Sequence, residues 1–175
     1  MERLYVLAGK ARSGKDTTAD FMEKYYKNKK IIRLMYGAGV KIYASLLSDW
    51  DGSEEDKPRE LLQKIAVESR EVNPDYTIKR MEEDINILKD YCDIIIITDA
   101  RMPEEVLMPK EKFKEAITIK LERPNFDSPL SLSQQKSLTE VALDNFDNYD
   151  YVDSNDGTLE DLDRKIINLI ESEGL

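Results

Sequence analysis

The hydrophobic positions of this chain switch between two spacings, and the switching outlines a fold. Short runs dominated by apolar residues, at Leu4–Ala8, Ile31–Met35, Asp93–Thr98, Ala116–Leu121 and Tyr149–Val152, read as strands. The strongest is Asp93–Thr98. The consecutive isoleucines Ile94 to Ile97 leave no alternation between core and solvent, so this strand belongs in the middle of a parallel sheet covered on both faces.

Between these runs the apolar residues recur at helical spacing. A helix from Lys15 to about Lys27 turns Ala19, Met22 and Tyr26 inward. After the break Tyr36–Gly39, a second turns Val40, Tyr43, Ala44 and Leu47 inward. An acidic connector, Ser48–Lys57, leads to Pro58, which suits a first helical turn. Leu61, Leu62, Ile65 and Ala66 form the inner face there, and Asn73-Pro74 ends that helix. Ile78, Met81, Ile85 and Leu88 mark the next one. Pro103 and Pro109 bracket a short helical piece, and Leu138–Leu143 forms another. Thr158 and Asp161 make a capping box that opens a last helix, with Leu159, Leu162, Ile166 and Ile170 inward. Arg123–Gln135 is rich in Ser, Pro, Asn and Leu without a sustained period, and reads as a mobile loop or lid.

Strands alternating with helices imply an α/β fold: a three-layer arrangement around a parallel sheet of about five strands. Residues 1–175 are expected to form a single domain, with a helical insert at about 37–91 and a lid at about 123–137. Ligands in such folds bind beyond the carboxyl ends of the strands.

Composition narrows the function. Hydrophobic residues make up 41% and charged residues 35%, the balance of a soluble globular chain. The net charge of −10 argues against nucleic-acid binding through a basic surface. The absence of histidine removes His-based triads, His-ligated zinc and His acid–base chemistry. Cys92 is the single cysteine, so there is no intramolecular disulfide. The apolar runs are too short to span a membrane, and the first residues lack a signal-peptide pattern. Cytoplasm is the expected location.

One stretch carries specific chemistry. Gly9-Lys-Ala-Arg-Ser-Gly14-Lys15 matches G-x-x-x-x-G-K, between a predicted strand and a predicted helix. Glycines let the backbone curl its N–H groups around a phosphate, and the helix adds the positive end of its dipole. Gly9, Arg12, Ser13, Gly14, Lys15, Asp16 and Thr17 are therefore the candidate phosphate-binding residues. Ser or Thr normally follows the lysine as a Mg²⁺ ligand, but Asp16 stands here. Either Asp16 holds the metal, or Thr17 takes the α-phosphate and Asp16 supports from behind. Asp99 and Arg101 follow the isoleucine strand, where an acid either orients Mg²⁺ or serves a turn. Lys41, Arg59 and Arg70 supply cations between the second and third strands, and Arg123 and Lys136 flank the lid.

Together these pieces resemble the deoxynucleoside monophosphate kinases of bacteriophages and their prophage relatives. The resemblance runs through Gly9–Asp20, Lys57–Gln63 with Glu68-Ser-Arg70, Ile97–Glu105, Thr139-Glu140 and Asn155–Gly157, nearly the whole chain in order. It implies a P-loop nucleoside-monophosphate-kinase-like fold, with ATP and Mg²⁺ as cofactors and a nucleotide 5′-phosphate as acceptor. The helical insert would then bind the acceptor. Lys15 and Arg123 would serve the phosphates, Arg70 and Arg101 the acceptor side, and Asn155 would lie near the adenine. Relatives often carry His where Leu138 stands, a departure in the lid. The expected partner is a small nucleotide; neither nucleic acid nor a membrane is expected, and a homodimer is left open. Two alternatives remain: a P-loop kinase for a hydroxyl, of dephospho-coenzyme A kinase or modified-base type, and an inactive nucleotide-binding protein.

Overall fold

The computed structural model describes residues 1–128 and 130–174; Pro129, inside the expected lid, and Leu175 lie outside the described residues. The strands β1 (Arg3–Ala8), β2 (Ile31–Leu34), β3 (Ile94–Ala100), β4 (Ala116–Glu122) and β5 (Tyr151–Ser154) form one sheet in the order β2-β3-β1-β4-β5. Every neighbouring pair is parallel. The helices are α1 (Lys15–Tyr25), α2 (Ala38–Leu47), α3 (Arg59–Val72), α4 (Tyr76–Leu88), α5 (Pro103–Lys112), α6 (Leu132–Gln135), α7 (Leu138–Val141) and α8 (Leu159–Ser172).

The period of two along β1 and β3 divides the core into two layers. Leu4, Val6, Ile95 and Ile97 meet Met81 and Ile85 of α4 and Val106 of α5. Tyr5, Leu7, Ile94 and Ile96 meet Ala19 and Met22 of α1 and Leu162 and Ile166 of α8. All four isoleucines of β3 are fully buried, each worth roughly 1.5–3 kcal/mol relative to exposure. This is the expected α/β arrangement, with both sheet faces covered. A smaller core of Val40, Ala44, Trp50 and Ile65 joins α2 to α3. The Trp50 indole N–H satisfies itself on the Ser53 carbonyl at 2.8 Å.

Several expectations need correction. Tyr43 and Leu47 of α2 are exposed: they border an open groove of about 450 Å³ with Ile65, Val72 and Tyr76, while Val40 and Ala44, one turn apart, enter the small core. Leu159 is also exposed; it stands in the first turn of α8, ahead of Leu162, the first residue to reach the core. Strand β3 runs two residues past Thr98 and takes Asp99 into the sheet. The last strand begins at Tyr151 rather than Tyr149, and the lid contains a turn of helix, α6, capped by Ser131. The Thr158–Asp161 capping box forms as expected, with the Asp161 amide 3.2 Å from Thr158 Oγ1. Among the described residues no helix is long and apolar enough to cross a membrane.

Pro109 does not end α5; it lies inside it. Proline has no N–H, so the Glu105 carbonyl one turn earlier loses its helical donor. The Tyr36 hydroxyl, buried, donates to that carbonyl at 2.8 Å instead. The Tyr36→Phe variant leaves a buried carbonyl without a donor and is expected to lose about 1–3 kcal/mol of stability. Urea unfolding followed by circular dichroism measures the loss. A change below a few tenths of a kcal/mol would show that the helix does not need this hydroxyl.

Candidate active site

The loop between β1 and α1 bends where the sequence allows it. Gly9 has φ 141° and Gly14 φ 108°, conformations that favour glycine. A Cβ on Gly9 would approach the Leu121 carbonyl oxygen to 2.4 Å. Arg12 is also left-handed, with φ 62°. The first turn of α1 has no side-chain cap, so its leading amides and dipole face the loop opening. Together with the buried Lys15, this donor set fits a polyphosphate.

The Lys15 ammonium curls back onto the Gly9 and Lys10 carbonyls at 2.9 and 2.7 Å, with Ser13 Oγ at 3.4 Å. Burial, helped by the nearby Arg101 cation, lowers its pKa to about 7. Ser13 is buried beneath the loop, whereas Arg12 and Asp16 are exposed and Thr17 is half-buried. Asn155, after β5, braces the loop: its side-chain amide donates to the Ser13 carbonyl at 3.0 Å. Arg123 reaches the loop from the other side, 3.4 Å from the Arg12 carbonyl, with its guanidinium 4.2 Å from the Phe126 ring centre.

The end of β3 contributes the opposite wall. Both oxygens of Asp99 accept backbone amides from the turn after β2, Tyr36 at 2.8 Å and Gly37 at 3.0 Å. The acid therefore fixes that turn as well as facing the site. Glu105, almost fully buried on α5, accepts the Arg101 and Met102 amides at 2.8 and 3.2 Å. Its other oxygen lies 3.7 Å from Arg70 of α3. Burial is the main cause raising its pKa to about 7, with Asp99 adding to it and the two amides and Arg70 opposing. Glu140 of α7 pairs with Arg101 and also accepts the Ala11 amide at 3.0 Å.

These groups border three connected spaces. A cleft of about 1010 Å³ runs along α3 and is walled by Arg59, Arg70, Arg101 and Glu140. A smaller cavity of about 160 Å³ opens between Tyr36, Asp99, Arg70 and Glu105. A third, about 450 Å³, lies against the segment expected to form a lid, between Lys10, Arg123, Phe126 and Asp144. The structure thus gathers Arg59, Arg70 and Arg101 onto one cleft. It does not bring Lys41 there: that ammonium lies 3.2 Å from Met35 Sδ and borders none of these spaces. Among the described residues there is no cluster of three or more His, Cys, Asp or Glu side chains arranged around a metal position. Mg²⁺ sites commonly use one or two carboxylates with water and phosphate oxygens, a role open to Asp16 and Asp99.

The two acids that organise the wall, Glu105 and Glu140, were not assigned a role from sequence. Glu105 had a usable signal, an acid at the third position of a helix opening on Pro103. Glu140 stood in the Thr139-Glu140 piece of the resemblance, but its contacts could not be read there, because its partners are 39 and 129 residues away.

No protein-family model matches the sequence, and no curated protein matches it significantly. The fold recurs among P-loop kinases. The Mycobacterium tuberculosis APS kinase, in complex with AMPPNP and APS, superposes with TM-score 0.54 at 16% identity over 97% of each chain. Shikimate kinase from Aquifex aeolicus gives 0.54 at 14% identity over 97% of each chain. The Acinetobacter baumannii enzyme in complex with shikimate gives 0.53 at 15%, covering 99% of this chain and 95% of that one. At these identities the likeness establishes the fold.

A lysine with pKa about 7 makes polyanion binding consume protons. Phosphates raise the pKa of the amine they contact, so at pH 8 the free chain is largely deprotonated at Lys15 and the complex protonated. At pH 8 AMPPNP binding is expected to take up about 1 proton more in the wild type than in Lys15→Met, a difference that falls toward zero by about pH 5. Calorimetry in buffers of different ionisation enthalpy measures both, and equal uptake by the two proteins would show that Lys15 does not meet the phosphates.

Proposed function

We propose that this chain is an ATP- and Mg²⁺-dependent phosphotransferase acting on a (deoxy)nucleoside 5′-monophosphate and giving the diphosphate. The observation that carries the reading is the cleft itself. In a chain of net charge −10, Arg59, Arg70 and Arg101 line one space that also holds Glu60, Glu68, Glu71 and Glu140 and is bordered by the phosphate loop at Ala11. Three guanidinium groups gathered there suit a second anion beside the donor phosphates. The likeness of the chain's motifs to phage deoxynucleoside monophosphate kinases supports the same assignment.

The parts divide as follows. Bound ATP supplies the phosphoryl group, and Mg²⁺ neutralises its charge. The loop amides and Lys15 hold the β- and γ-phosphates, Asn155 keeps the loop in shape near the adenine side, and Arg123 enters from the lid segment, about 123–137. Asp16 on the first turn of α1 and Asp99 at the end of β3 would hold the metal. Each Asp99 oxygen already accepts one amide, so its remaining lone pairs would face the metal or a water on it. The insert at about 37–91 carries Arg59 and Arg70 to the acceptor, and Glu105 fixes Arg70's direction. An acceptor phosphate oxygen forms the new P–O bond as the bond to the β-phosphate oxygen breaks and ADP leaves. A monoester's second pKa is about 6, so at neutral pH this oxygen needs cations and no general base.

A hydroxyl acceptor is the second reading. Asp99 borders the small cavity beside Arg70 and Arg101, where a carboxylate can take a hydroxyl proton. The fold neighbours named for shikimate, a hydroxyl-bearing acid, point the same way.

A coupled ADP-release assay with a panel of monophosphates, nucleosides and dephospho-coenzyme A separates these readings. Turnover with monophosphates and none with nucleosides is expected. The opposite result establishes the hydroxyl reading, and AMPPNP binding by calorimetry without turnover on any acceptor favours an inactive nucleotide-binding protein. Lys15→Met should lower kcat by about 10³-fold or more while the fold remains. Arg70→Ala should raise the acceptor KM by roughly tenfold to a hundredfold, the scale of a charge-assisted pair, and leave the KM for ATP within about twofold.

A further inference from the structure

Glu140 takes no part in the scheme above, yet it stands where both halves of the site meet. It is buried on α7, at the end of the lid segment. One carboxylate oxygen accepts the Ala11 amide of the phosphate loop at 3.0 Å, and the other pairs with the Arg101 guanidinium. Glu140 and Ala11 line both the cleft along α3 and the cavity beside Lys10 and Arg123. In this state the loop amide and Arg101 share one tethered anion, and the charge of Arg101 is already matched.

A carboxylate accepting a loop amide makes the same kind of hydrogen bond as a phosphoryl oxygen. The two compete for one donor, and a polyphosphate brings more charge. Resting on the phosphotransferase reading, we propose that Glu140 is an internal anion that holds the phosphate loop and Arg101 together in the ligand-free chain and is displaced when the donor phosphates arrive, which releases Arg101 to the acceptor. Glu140 is then a positioning residue that couples the two sites. Donor binding tightens the acceptor, and linkage makes the effect reciprocal.

The test uses the full chain and the variants Glu140→Gln, which keeps the volume, and Glu140→Ala. Asp144→Asn is the comparison, because Asp144 lines the same lower cavity and pairs with Lys10 of the loop at 2.7 Å. Calorimetry gives Kd for AMPPNP with Mg²⁺, then for dAMP, dCMP, dGMP and dTMP, each alone and with AMPPNP saturating. Thermal melts confirm that each variant is folded. Both Glu140 variants are expected to bind AMPPNP about tenfold more tightly than wild type, and Asp144→Asn within about twofold. In wild type, AMPPNP should tighten the best-bound monophosphate about tenfold. In the Glu140 variants that monophosphate should bind well alone and gain less than about twofold. Unchanged AMPPNP affinity in both Glu140 variants, or equal tightening in Asp144→Asn, overturns the proposal. So does a donor–acceptor coupling that survives the loss of Glu140. If AMPPNP binds but no monophosphate does, the acceptor reading falls and the release of Arg101 with it, while the AMPPNP comparison still decides whether Glu140 competes at the loop. If wild type does not bind AMPPNP, both readings fall.

Discussion

The ladder between β1 and β3 is the constraint on which the rest of the structure depends. The strands run parallel with Val6 beside Ile97 and Ala8 beside Ala100. Parallel neighbours leave the sheet at the same end. The Gly9 loop and the Asp99–Arg101 segment therefore emerge side by side, whatever their separation in sequence. A slip of one residue in β3 would send Ile94 and Ile96 to the layer now filled by Ile95 and Ile97, and the reverse. Side chains of one type blunt that penalty inside the strand. The register is held more firmly at its ends, where Asp99 grips the turn after β2 and the Asp93 carbonyl meets the Glu2 amide at 2.6 Å.

Three acids give the site its shape, and none is solvated like a surface acid. Asp99, Glu105 and Glu140 each accept at least one backbone amide. Burying a carboxylate costs several kcal/mol unless it is hydrogen-bonded or paired. Here the main chain supplies much of the compensation, and Arg70 and Arg101 supply the rest. The same contacts give direction to two long, rotamer-rich cations. The cleft is thus built from an acidic frame holding basic groups, which is how a chain of net charge −10 gathers Arg59, Arg70 and Arg101 at one place.

Much of this was legible in the chain. The isoleucine run announced the central strand because it cannot alternate, and the glycine spacing announced the loop because the conformations at Gly9 and Gly14 exclude most other residues. The cations Arg59, Arg70 and Arg101 were recognisable as types, and the fold brought them together. Other parts were hidden for physical reasons. Tyr43 and Leu47 look buried by spacing, but they border an open groove beside α3 that none of the described residues fills. Pro109 reads as a stop because its rescue comes from Tyr36, 69 residues from the carbonyl that needed a donor. Glu140 stood in a two-residue piece of the resemblance without a role, since its contacts are set by what the tertiary fold places beside it.

The Tyr36–Pro109 arrangement also bears on how such a chain can change over generations. Restoring an N–H at position 109 would give the Glu105 carbonyl a helical donor and make the Tyr36 hydroxyl dispensable. Removing the hydroxyl first leaves the carbonyl bare, so the two substitutions are tolerated in one order and resisted in the other. Because the Tyr36 amide is also held by Asp99, that historical path runs through a residue facing the site. Drift in a helix on the outer layer is thereby tied to the turn that borders the cleft.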